Sequence, residues 1–76
     1  MNKLRRKSLE EIEAKIDELR NLLEALRDEE QEYADNMPEN LQGSERHEQA
    51  EDAVYSMDCA LDNLSDAIDN IDEAVG

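Results

Sequence analysis

The stretch from Ala53 to Val75 repeats one seven-residue unit three times and begins a fourth: AVYSMDC, ALDNLSD, AIDNIDE, AV. Each unit opens with Ala and a branched apolar residue: Ala53-Val54, Ala60-Leu61, Ala67-Ile68, Ala74-Val75. Three residues later comes another apolar side chain, Met57, Leu64 or Ile71. Apolar positions that alternate three and four apart fall on one side of an α-helix, and their seven-residue period is that of helices packed along their length. This spacing predicts a helix over about 45–75. Its stripe carries His47, Val54, Leu61, Ile68 and Val75 at a, Ala50, Met57, Leu64 and Ile71 at d, and a column of alanines at g. Small residues in register let a neighbouring backbone approach closely.

The first part of the chain has the same period: Leu9, Ile12, Ile16, Leu19, Leu23 and Leu26, continuing to Glu30, Tyr33 and Met37, with Leu22 widening the stripe. Ser8-Leu9-Glu10-Glu11 has the form of a capping box, so this helix is expected over about 8–36; the basic residues 3–7 extend it by a turn or fray, and fraying is slightly favoured because cations sit badly at a helix N-terminus. Pro38 ends the pattern, and 37–44 is a loop in which Leu41 folds back over the core and Ser44 caps the second helix. Glu11–Lys15, Arg20–Glu24 and Glu24–Arg27 are placed to pair along the first helix. The fold class is therefore all-α: a single domain over 1–76, an antiparallel two-helix hairpin. A hairpin leaves half of each wide stripe in water, so either two copies are expected to pair into an antiparallel four-helix bundle or one hairpin docks on another protein, with Leu9, Ile12, Ile16, Leu19, Leu23, Leu26, Val54, Met57, Leu61, Leu64, Ile68 and Ile71 forming the core or the dimer interface.

Charge narrows the choice of partners. The chain has 22 acidic and 8 basic residues, and from residue 28 onward Arg46 is the only Lys or Arg. Such a surface repels nucleic acid and anionic membranes and attracts basic proteins. On the second helix Asp58, Asp62, Asp66, Asp69 and Glu73 form a ladder whose four-residue steps rise about 6 Å along the axis. Asp is a poorer helix former than Glu, which would serve solubility at less cost. The ladder, with Tyr55 beside it, is therefore read as a partner-binding face that imitates nucleic acid; the competing reading is a solvated face. Neutralising Asp58, Asp62, Asp66 and Asp69 would separate the two readings.

The sequence offers no enzyme signature. His47 is the only histidine, the second ligand of an H-E-x-x-H zinc helix is missing, and no stretch matches a calcium loop. His47 is expected beside the loop, with Glu30 as its partner across the hairpin. Cys59 is the only cysteine and has acidic neighbours that disfavour a thiolate. No catalytic residue, cofactor or metal is assigned. A lone thiol and the absence of an apolar leader or span lead to the expectation of a cytoplasmic protein that touches neither membrane nor nucleic acid directly.

The central run Asp35-Asn36-Met37-Pro38-Glu39-Asn40-Leu41-Gln42-Gly43-Ser44-Glu45-Arg46, set between two acidic heptad helices, resembles a group of short proteins carried by bacteriophages and mobile genetic elements. The resemblance implies a phage- or element-encoded protein that acts on other proteins, and it carries over no site residues. Together these readings favour a non-enzymatic interaction module, most concretely an inhibitor that shows a nucleic-acid-like acidic face to a basic host or defence protein. The alternative is an adaptor bundle whose acids serve solubility only.

Overall fold

A computed structural model describes residues Met1 to Gly76. Helix α1 runs from Lys3 to Asp35 and helix α2 from Glu45 to Val75. A 3-10 turn over Glu39–Leu41 lies between them. The start of α1 departs from expectation. Asn2 is the N-cap, its side chain accepting the backbone N–H of Arg5 at 2.8 Å. Ser8 sits inside the helix, and residues 3–7 are helical rather than frayed. Leu, Arg and Lys are good helix formers, and a capped start contributes about 1 kcal/mol, enough to offset the unfavourable placement of exposed cations.

At the other end of α1 the N–H of Asn36 bonds to the Glu32 carbonyl at 2.9 Å, and Pro38 stops the helix from continuing. Gly43 takes a φ of 80°, a left-handed conformation that side-chain-bearing residues rarely adopt, and it turns the chain into α2. Ser44 is the expected cap, accepting the N–H of His47.

The helices pack against each other as an antiparallel hairpin measuring 60 × 14 × 12 Å. Two hydrogen bonds fix its register: Arg20 donates to Ser65, and Arg27 donates to Asp58. Each step up α1 by seven residues is a step down α2 by seven. Residue 22 therefore lies level with residue 63, and the first six residues of α1, Lys3 to Ser8, lie beyond the level of Gly76.

Only Ala34, Met37, Ala50 and Val54 are buried, all near the loop. Met37, not Leu41, closes the core there: Leu41 is 39% exposed, while Met37 is 8% exposed and packs with Ala34 and Ala50. Further along, Leu9, Ile16 and Leu23 of α1 meet Met57, Leu61, Leu64, Ile68 and Ile71 of α2, all half-buried. Ile12, Leu19 and Leu26 do not share this seam. Their positions are held by Glu13, Arg20 and Arg27, whose aliphatic stems lie along α2 while their polar heads reach water or a partner.

Candidate functional site

The seam divides the hairpin into two unlike flanks. On one, the hydrogen bonds Arg20–Ser65 and Arg27–Asp58 are seven residues apart on each helix, and Glu13 and Asp72 stand one such step further on. Arg27 holds Asp58 with Nε 2.8 Å from Oδ1 and also reaches Asp28 at 3.3 Å. Arg20 binds Asp17 at 2.6 Å. The bonds to Asp58 hold the Arg27 guanidinium above its ordinary pKa. On Glu13 the hydrogen bond with Asp72 acts most strongly, then loss of hydration, then the negative charges of Asp72, Glu10 and Asp17; together they push its carboxyl above the usual carboxylate range. The expected pairs of Arg20 and Arg27 with Glu24 are replaced by these contacts, because both arginines point toward α2.

The opposite flank is apolar. Ile12, Leu19, Leu22, Leu26 and Tyr33 are between 48% and 59% exposed, and Leu4 is 78% exposed. At 100° per residue the six fall within an arc of about 80° on α1. Beside them on α2 runs the column Ala53, Ala60, Ala67 and Ala74, the first three half-buried. At the loop end the flank opens into a depression of about 450 Å³ whose apolar lining is Tyr33, Met37, Pro38 and Leu41.

The predicted acidic face is divided by the structure. Asp62, Asp66, Asp69 and Glu73 are exposed on the outer side of α2, and none enters an ion pair. Tyr55 stands on the same side, 71% exposed. Asp58 differs: it is half-buried and engaged by Arg27, so it belongs to the seam rather than to the open face. The sequence reading missed Arg20, Arg27 and Glu13 as seam residues. Their signal was present in the seven-residue spacing of Glu13, Arg20 and Arg27 against that of Asp58, Ser65 and Asp72.

His47 does not meet Glu30. Its Nδ1 lies 3.0 Å from Glu51 Oε1, one turn along α2, and 3.3 Å from the N–H of Gly43. One nitrogen serves one of these at a time: an Nδ1 without a proton accepts from Gly43, and an Nδ1 carrying one donates to Glu51. Helical spacing brings Glu51 within reach, whereas Glu30 stands on the other helix. Cys59 is an exposed free thiol. No three His, Cys, Asp or Glu side chains are grouped to hold a metal ion. No helix is long and apolar enough to cross a membrane.

No family model, curated protein or solved structure matches the chain.

Proposed function

We propose that this chain is a non-enzymatic protein-interaction module in which two hairpins pair into a four-helix bundle and the outer side of α2 meets a basic protein surface. One observation carries the acidic half of this reading. Asp62, Asp66, Asp69 and Glu73 are exposed and without an ion-pair partner, while Arg20 and Arg27 are engaged by Asp17, Asp28 and Asp58. Unneutralised carboxylates held on one rigid helix keep their full attraction for a cationic partner. In its most concrete form the module is an inhibitor, encoded by a phage or mobile element, that occupies the nucleic-acid-binding surface of a host or defence protein.

The adaptor reading is favoured by a different observation, the apolar flank of α1. In it the acids only keep the bundle dispersed. Replacing Asp62, Asp66 and Asp69 by Asn and Glu73 by Gln separates the two. Asp58 is left intact because it holds Arg27. Capture of a basic partner from host lysate is expected to fall steeply in the quadruple variant, and to fall with rising salt for the parent protein. Capture unchanged in both comparisons would leave the adaptor reading.

A further inference from the structure

We propose that two copies pair through the apolar flank in one specific arrangement: α1 lies antiparallel on the partner's α1, and a two-fold axis passes beside Leu22. The inference rests on the pairing of hairpins proposed above and adds its geometry. Four observations carry it.

The first is area. The hairpin exposes 5773 Å², whereas a monomer of 8.7 kDa is expected to expose about 4,700 Å². The excess, about 1,000 Å², is of the size that one partner contributes to a stable interface, about 800 Å².

The second is spacing. An isologous interface requires a patch that is complementary to itself. Ile12 and Tyr33 of α1 are equidistant from a point between residues 22 and 23, as are Leu19 and Leu26. Two α1 helices turned end for end about that point set each member of a pair against the partner's other member. Leu22 then meets its own copy.

The third concerns α2. The column Ala53, Ala60, Ala67 and Ala74 is centred between residues 63 and 64. In the hairpin register residue 22 lies level with residue 63, as the contacts Arg20–Ser65 and Arg27–Asp58 require. The alanine column and the leucine stripe thus share a midpoint to within about one residue, roughly 1.5 Å. A single axis serves both helices. It sets α1 on α1 through large side chains and brings the two α2 helices close across small ones.

The fourth is charge. Lys3, Arg5, Arg6 and Lys7 make no ion pair within the hairpin, and neither do Glu29, Glu32 and Glu39 at the other end of α1. The end-for-end turn brings each cationic segment to the partner's acidic loop end, and Lys15 level with Glu30. A parallel arrangement would set like charges together at both ends.

Cross-linking in a Cys59→Ser background tests the arrangement. Leu22→Cys is expected to form a disulfide-linked dimer under mild oxidation. Ile12→Cys and Tyr33→Cys are expected to link when mixed and not when alone, and Tyr55→Cys on the outer side of α2 is expected to remain unlinked. Leu22→Glu, at a position already exposed in the hairpin, is expected to keep its helical circular dichroism and to weaken self-association about 100-fold or more in analytical ultracentrifugation. Self-linking of Ile12→Cys and Tyr33→Cys without mixed linking would overturn the antiparallel register while leaving the pairing of hairpins standing. A dimer unaffected by Leu22→Glu would overturn the use of this flank, and a parent protein that sediments as a monomer would remove both. Partner capture by the acidic side of α2 is read in a separate assay, so that part of the functional reading stands or falls on its own.

Discussion

Arg27 of α1 and Asp58 of α2 meet with Nε 2.8 Å from Oδ1, joining residues that are 31 apart in the chain. This contact takes the first rung out of a ladder of acids and makes it part of the hairpin. Arg27→Ala is expected to lower the thermal midpoint, and Asp58→Asn to lower it by less, since Asn still accepts a hydrogen bond. The double variant should fall short of the sum of the two, because Arg27→Ala alone already removes the contact that Asp58→Asn weakens. Added salt should shrink the difference between parent and variants. Full additivity across the cycle, measured by circular dichroism melts, would show the contact to be energetically idle.

The Glu13–Asp72 hydrogen bond predicts a pH dependence of the opposite sign to that of most carboxylates. Its folded pKa lies above the ordinary value of 4.5. Protonated Glu13 therefore favours the folded state, an advantage fully present below about pH 4.5 and lost as pH rises through the folded value. Glu13→Gln donates to Asp72 at any pH. The variant should melt above the parent at pH 7, and the gap should close by pH 4. A gap that is the same at both pH values would argue against the shared proton.

The core near the loop is small and sensitive. Val54→Ala removes two methyl groups from a site 6% exposed and is expected to cost about 1.5 kcal/mol. That corresponds to a drop of roughly 10 °C in thermal midpoint for a domain of this size. Ala34→Leu forces bulk into a position 1% exposed, between Met37 and Ala50, and should cost about 1–3 kcal/mol. Chemical denaturation of both variants checks the two figures.

The N-terminal cap distinguishes Asn2 from Ser8. Asn2→Ala is expected to destabilise the first turn by about 1 kcal/mol and to speed amide exchange over residues 3–7. Ser8→Ala should leave exchange there unchanged or slow it slightly, Ala being the better helix former. The reverse pattern would place the start of α1 at Ser8.

Much of the architecture is legible in the residues. The seven-residue stripes mark two helices, Pro38 and Gly43 mark the connection, and Ser44 marks the start of α2. The seam between the helices is harder to read, because α1 carries more apolar columns than one neighbour can cover. Leu9, Ile16 and Leu23 face α2, whereas Ile12, Leu19 and Leu26 do not. Hydrophobicity ranks these columns equally; the long stems of Arg20 and Arg27, whose charges suggest a solvent-facing column, decide between them. The acidic ladder is legible as a row, but the membership of Asp58 depends on an arginine on the other helix. Asn2 is overlooked for a related reason: a capping box at Ser8 is the stronger local pattern, yet a helix needs only one start, and the earlier cap prevails.

All four buried residues, Ala34, Met37, Ala50 and Val54, lie at the loop end, while the far ends of the helices are held by half-buried side chains and single hydrogen bonds. A chain built this way closes its shortest loop first and gains its densest packing at once, then adds contacts turn by turn away from the bend. Folding is thus expected to run as a zipper from the loop outward, and opening to run inward from the termini. Amide exchange should slow in a gradient along both helices, and a change at Met37 should slow folding where a change at Leu9 chiefly speeds unfolding.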